Sequence, residues 1–272
     1  MKHGVGRAVV AMVLAAWTTL TLLMINGGTQ LVNRTSESVA HSPLYNFQPI
    51  TIRLDRTNRD LTFPSWKYLQ TGKIWSYVSG KQGIDPAFEP PLTDIADGTP
   101  SWIEDKRVQP MVKEPLEQLR QAAAEAKLPV LVSSAYRSGT AQAKVRTETT
   151  AKNGATHTDE YVAKPGHSEH QLGLAVDLTS FSEKCKARFS DCALDPKTAS
   201  WLAAHAHEYG FILRYPKGKE KITGIASEAW HFRYVGKDLA SLIHESGLTF
   251  DEVYQNMVKL RDNASVAKSS PS

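Results

Sequence analysis

From Pro110 onward the hydrophobic and polar positions alternate with clear periods. Between Val112 and Lys127, Leu116, Leu119, Ala123 and Ala126 fall on one helical face with Glu and Gln opposite, which predicts an amphipathic helix. Pro129 stops it, and Val130-Leu131-Val132 begins a buried strand. A second apolar strand, Leu174 to Leu178, follows Gly173. Ala199 to Tyr209 is a helical run ended by Gly210, the residue type that favours the position just past a helix. Phe211 to Tyr215 and Trp230 to Val235 read as strands, and Lys237 to Glu245 and Asp251 to Leu260 as helices. The last of these is opened by Thr249-x-x-Glu252, a capping-box pattern. Helices interleaved with short strands predict an α+β fold.

The first hundred residues carry weaker signals. Ile50 to Leu54 reads as a short strand, Gly27 to Asp60 is otherwise polar without strong periodicity, and the proline-rich stretch Asp85 to Pro100 reads as loop. At the extreme N-terminus Lys2 and Arg7 precede Ala8 to Ile25, eighteen residues without a charge. That length is at the lower edge of a bilayer span and above the usual apolar region of a signal peptide. A basic N-terminal flank predicts export of the remainder of the chain. The segment is read as an uncleaved helical anchor, with a cleaved signal peptide as the alternative. The expected organisation is therefore signal anchor or signal peptide over 1–26, extracytoplasmic spacer and loop region over 27–100, one globular domain over 101–262 and a frayed Ser/Lys/Pro tail over 263–272.

Composition narrows the classes. The 272 residues are 41% hydrophobic and 22% charged, a globular balance. A net charge of +4 with no Lys/Arg tract excludes the electrostatic footprint of a nucleic-acid binder. With two cysteines no Cys-rich zinc module can form. Cys185 and Cys192 bracket a short polar loop and are expected to pair in an oxidising compartment.

The candidate chemistry lies among the nine histidines. In Pro165 to Leu178 (PGHSEHQLGLAVDL), His170 sits in a polar loop and Asp177 interrupts an apolar strand. A carboxylate there is costly to bury unless a charge or metal satisfies it. Further on, Glu228 stands three positions before His231. Two His and one Asp suit Zn²⁺ with a fourth position open, and a nearby Glu that is not a ligand can serve as general base. A straight strand would turn Glu228 away from His231, so the site needs either irregular backbone between Glu228 and Trp230 or a Glu228 that acts from the loop before the strand. His205 and His207 diverge by about 200° on a helix and cannot share a metal. His167, directly after Pro165-Gly166, is treated as a neighbour of the site. Arg137, at the end of an apolar strand, can point into a cleft to meet an oxyanion or a substrate carboxylate, or form a structural ion pair.

Ser133-Ser134-Ala135-Tyr136-Arg137-Ser138 with Gln142, then Ser168-x-His170-x-x-Gly173-x-Ala175-x-Asp177, then Glu228-x-x-His231 resemble the signatures of VanY-type D-alanyl-D-alanine carboxypeptidases, zinc peptidases grouped with VanX dipeptidases and L,D-carboxypeptidases. The resemblance covers about Pro110 to Leu260. It implies a single zinc-peptidase domain with a small, mainly antiparallel sheet flanked by helices. It also implies His170, Asp177 and His231 as zinc ligands and Glu228 as the base that takes a proton from the attacking water and passes it to the departing amine. Arg137 would polarise the scissile carbonyl. Ser168, Gln142 and Tyr136 would lie on the substrate side, and Trp230 would wall the pocket. The family often has an aromatic where this chain has Gly139, a change expected to alter the rim, and specificity is expected in loops such as Gly139 to Val162. The expected activity is removal of terminal D-alanine from peptidoglycan stem peptides by an exported monomer at the cell membrane, with the catalytic domain outside. An L,D-carboxypeptidase or peptidoglycan endopeptidase is the alternative, and a non-catalytic cell-wall-binding module the more distant one.

Overall fold

A computed structural model of the chain describes residues 20–25, 28–32, 50–54, 59–63, 66–95, 100 and 102–269. The first elements form a four-stranded sheet of order β2-β1-β3-β4, from β1 (Leu20–Ile25), β2 (Gly28–Val32), β3 (Ile50–Leu54) and β4 (Arg59–Phe63). The expected strand at Ile50 to Leu54 is β3. The expected helical anchor over Ala8 to Ile25 does not hold at its C-terminal end, because Leu20–Ile25 is strand and pairs antiparallel with β2 and parallel with β3. Asn26-Gly27, which separates β1 from β2 in sequence, is a strong hairpin signal that the apolar count overlooked. Ala8 to Thr19 lie outside the described residues. Among the described residues no helix is long and apolar enough to cross a membrane.

The short pair β5 (Thr93–Asp94) and β6 (Arg107–Val108) precedes the main domain elements. Helix α1 (Pro110–Glu125) starts on a proline, which is preorganised for a first turn, and buries Val112, Leu116, Leu119 and Ala123. It ends at Glu125, and Lys127 turns the chain with φ 63° into β7 (Val130–Ser134). Helices α2 (Gly139–Asn153) and α3 (Ala155–Tyr161) come next, where loop was expected. Their exposed surfaces carry almost no apolar stripe, and α2 buries only Gly139 and Gln142, so periodicity could not reveal them.

After a one-turn 3-10 helix at Glu169–Leu172 come β8 (Ala175–Ser180), α4 (Glu183–Ala187) and α5 (Pro196–His205), which is capped by the Asp195 side chain. A 3-10 turn extends α5 to Tyr209 before Gly210 takes φ 85°. The chain then forms β9 (Phe211–Tyr215), α6 (Glu220–Thr223), β10 (Glu228–Tyr234), α7 (Lys237–Ser246) and α8 (Phe250–Ser269). Thr249 and Glu252 form the expected reciprocal cap. The tail was expected to fray from Asn263, yet α8 continues to Ser269. Ala264 to Lys268 contain no helix breaker, and the first proline is Pro271.

The central sheet is antiparallel throughout, in the order β7-β8-β10-β9. One face packs Val132, Val176, Leu178 and Phe232 against α1 and Leu202 of α5. A second core joins Ile212 and Val235 to α7, α8, Trp75 and Tyr77. Trp75, Tyr77, Val78 and Ile95 are all buried, so the packed unit begins well before the boundary expected at residue 101. Scattered aromatic and aliphatic residues in a Gly/Pro-rich stretch have no period, and their burial is set by what the chain lies against. Cys185 and Cys192 are joined as a disulfide, as their short spacing suggested.

Candidate metal centre

Strand register brings the site together. His231 on β10 is the direct antiparallel partner of Asp177 on β8, and Ser134 on β7 pairs with Asp177 from the other side. Directly opposed residues project from the same face a few ångströms apart. Asp177 and His231 therefore converge because the sheet is in this register. His170 arrives from the 3-10 turn, where it is buried, in place of the polar loop expected of it. Its backbone is tied to the end of β7, since Arg137 N donates to the His170 carbonyl at 3.2 Å.

One ligand atom from each of His170, Asp177 and His231 lies within 4.8 Å of the others. His170 Nε2 is 3.3 Å from Asp177 Oδ2, and His231 Nδ1 is 3.1 Å from Asp177 Oδ1. Asp177 Oδ1 is buried and makes no hydrogen bond of acceptable geometry. A buried carboxylate oxygen of this kind is one that a cation can satisfy. The far nitrogen of each ring is engaged, His170 Nδ1 with the Ala135 carbonyl at 2.7 Å and His231 Nε2 with Glu169 Oε2 at 3.4 Å. This leaves His170 Nε2 and His231 Nδ1 facing the cluster. Burial pushes the His170 ring below its usual value, which favours the neutral form a metal ligand needs. Burial also acts to lower His231, but Asp177 and Glu169 overcome it and push His231 up to about 9. The residues thus favour a positive charge at the position between them, and they fit Zn²⁺ in type and number.

Glu228 reaches the same point through a bulge. From Glu228 to Phe232 β10 advances four residues while β9 advances only from Tyr215 to Leu213. The irregular backbone anticipated between Glu228 and Trp230 is present. It turns the Glu228 side chain inward, 3.7 Å from His231 Nδ1, with Ala229 and Trp230 exposed. Burial raises Glu228 to about 7, and the nearby Asp177 adds to the rise while His231 opposes it. That value suits a base at neutral pH.

Arg137 points at the cluster. Its guanidinium donates to Ser134 Oγ at 2.6 Å and Gln142 Oε1 at 3.0 Å, and lies 4.0 Å from Asp177 Oδ2. The other end of Gln142 donates to the Ala163 carbonyl at 2.7 Å, which holds its Oε1 toward Arg137. Tyr136 is buried, with its ring under the Arg107 guanidinium 5.5 Å away. Ser168 is buried just ahead of the 3-10 turn, and Trp230 is 39% exposed beside Glu228. His167 contacts the Ser79 carbonyl at 2.6 Å, His205 pairs with Glu208, and His207 stacks on His244. None of the last three belongs to the metal cluster.

The sequence reading missed the charges beneath the site. Glu169, Arg214, Arg233 and Asp251 are buried together, and Glu169 Oε1 accepts from both Arg214 Nε and Arg233 Nη1 at 2.9 Å. Arg214 also pairs with Asp251, which accepts from Tyr77 Oη at 2.7 Å. The available signal was the one that exposed Asp177: Arg214 and Arg233 each interrupt an apolar strand, in FILRY and HFRYV. Gln171 was missed as well. Its amide nitrogen faces the carbonyls of Asp85, Pro86 and Phe88 and its oxygen accepts from Gly166 N, which straps residues 85–88 beside the metal-binding turn.

Two histidines, an aspartate and a nearby buried glutamate on a helix-backed antiparallel sheet are the residue set that metal-dependent hydrolases use. Residues 105–237 match the VanY family, D-alanyl-D-alanine carboxypeptidase. The bifunctional D-Ala-D-Ala dipeptidase and D-Ala-D-Ala carboxypeptidase VanXYC of Enterococcus gallinarum is 34% identical over 171 residues, 63% of this chain and 88% of that protein. A solved VanY D,D-pentapeptidase variant from a VanB-type resistance cassette, in complex with Zn(II), superposes with TM-score 0.56 at 30% identity, covering 65% of this chain and 98% of that one. The LdcB LD-carboxypeptidase superposes with TM-score 0.58 at 31% identity, covering 68% and 87%. The chain belongs to the VanY family of carboxypeptidases.

Proposed function

We propose that this chain is a zinc-dependent D,D-carboxypeptidase that removes the terminal D-alanine from peptidoglycan stem peptides. The observation that carries the reading is the position of Glu228, a buried carboxylate raised to about 7 and 3.7 Å from a nitrogen of the His170–Asp177–His231 cluster. Zinc held there would supply Lewis acidity and lower the pKa of water. Glu228 takes the proton from the attacking water at its carboxylate and returns it to the departing amine. Arg137, held by Ser134 and Gln142, offers positive charge to the oxygen that becomes anionic as the carbonyl is attacked. The D-Ala-D-Ala specificity in the name of VanXYC supports a substrate ending in D-Ala-D-Ala.

In the same reading the enzyme is exported and works outside the cytoplasmic membrane. The basic flank ahead of an uncharged run and the Cys185–Cys192 disulfide support that placement. The likeness to LdcB supports a second reading, an L,D-carboxypeptidase of the same site. Incubating the zinc-loaded protein with tri-, tetra- and pentapeptide stems and weighing the products decides between them. The expected result is conversion of pentapeptide to tetrapeptide with loss of one D-Ala. Cleavage of tetrapeptide alone would establish the second reading, and no cleavage of any stem would overturn both.

A further inference from the structure

The 3-10 turn presents two consecutive side chains to two different histidine problems. With about three residues per turn, Glu169 and His170 diverge by roughly 120°. His170 enters the cluster, while Glu169 passes behind His231 and meets the ring nitrogen that faces away from Asp177. The two imidazole rings stand nearly perpendicular, at 85° with centroids 4.9 Å apart, so the turn and β10 approach the cluster from different directions. Glu169 itself is directed away from it. Its Oε1 is held by Arg214 and Arg233, and its side chain is fully buried.

We propose that Glu169 is a positioning residue for the metal centre: it accepts the Nε2 proton of His231 and thereby fixes the ring so that Nδ1 is the metal-binding nitrogen. The proposal rests on the zinc reading above. Its geometry is a carboxylate behind a ligand histidine, an arrangement that orients the ring and raises its basicity. The two arginines give Glu169 its own fixed position. Arg233 is anchored in turn on the carbonyls of Ile74 and Ser76, at 3.0 and 2.7 Å. A segment that the sequence assigns to a spacer thus stands behind the ligand, through Arg233 and Glu169.

Glu169→Gln isolates the role, because it keeps the shape and changes one group. Two guanidinium donors require an acceptor at the Oε1 position, so the new amide NH₂ faces His231 Nε2. The two donors are compatible only if His231 gives up its Nε2 proton and carries it on Nδ1, where the metal would bind. Zinc affinity of the full chain, measured by chelator competition, is expected to fall by about 10- to 100-fold in Glu169→Gln. Nitrogen-15 NMR of the zinc-loaded wild type should show the His231 proton on Nε2 and the metal on Nδ1, a signature that a purely structural glutamate would not require. The NMR readout needs no variant, so it decides even if Glu169→Gln fails to fold. Metal on Nε2 in the wild type, or a folded Glu169→Gln protein that binds zinc as tightly, overturns the proposal alone. A wild type that binds no zinc overturns the zinc reading and this proposal with it.

Discussion

Two glutamates flank one histidine, and the difference between them separates the floor of the site from its mouth. Glu169 lies beneath His231, with 0% side-chain exposure, and Glu228 lies above it at 8%. Burial acts to raise both. At Glu169 the charges of Arg214 and Arg233 overturn that effect and hold the carboxyl well below the usual carboxylate range. At Glu228 no guanidinium among the described residues is close enough to form an ion pair, Arg137 lowers it only from a distance, and burial raises the group to about 7. The same residue type is thus a fixed anion in one place and a group that titrates near neutrality in the other. Burial does not decide the role; the presence of a permanent countercharge does.

The comparison can be broken first at the floor. Arg214→Ala leaves Glu169 and Asp251 short of a partner in a buried setting and is expected to destabilise the protein by about 3–5 kcal/mol, measured by urea unfolding. The exposed Arg188–Asp191 pair is the control. Arg188→Ala should change stability by less than about 1 kcal/mol. Equal effects at the two arginines would show that the buried network carries no special weight.

The strap beside the mouth provides a smaller effect. A Cβ at Gly139 would stand 2.2 Å from the Pro86 carbonyl oxygen, so the position that was expected to alter the rim is filled by backbone from residues that the sequence assigns to a loop region. Gly139→Ala is expected to displace the strap and to lower stability by about 1–3 kcal/mol in the same unfolding assay. An unchanged midpoint would mean that the strap does not pack there in solution.

The smallest effect tests a carboxylate that is lowered without burial. Asp195 is held down to about 2 by hydrogen bonds from Ser180, Thr198 and the first turn of α5. Its folded-state pKa is below its unfolded value of 3.8, so its contribution is full above about pH 4 and is lost as pH falls through about 2. Asp195→Ala should be about 1 kcal/mol less stable at neutral pH, and the gap should close across that window. A gap independent of pH would remove the ionised cap from the account.

Legibility in the sequence divides along the same line. Asp177 was visible because a carboxylate inside an apolar strand has few explanations, and His170, Glu228 and His231 were legible through their spacing. Strand geometry alone narrowed Glu228 to two cases, irregular backbone or a position in the preceding loop, and the bulge realises the first. Glu169 was not legible as a functional group, because its partners come from β9 and β10 and only the fold assembles them. Arg214 and Arg233 offered the strand-interruption signal, but nothing local says which carboxylate each arginine meets. Gln142 shows the opposite difficulty. Its motif position was legible, while its direction, toward Arg137 and the Ala163 carbonyl, depended on the unforeseen helix α2 and the chain that follows α3.

The most direct test of the division of labour is Glu228→Gln, assayed for zinc content, unfolding midpoint and turnover of a stem pentapeptide ending in D-Ala-D-Ala. Removal of the base should slow turnover by about 10²- to 10⁴-fold. Zinc content and stability should stay at the wild-type level, because Glu228 is neither a ligand nor half of a buried guanidinium pair. Turnover within tenfold of wild type, or zinc lost together with activity, would contradict the assignment of Glu228 as the base.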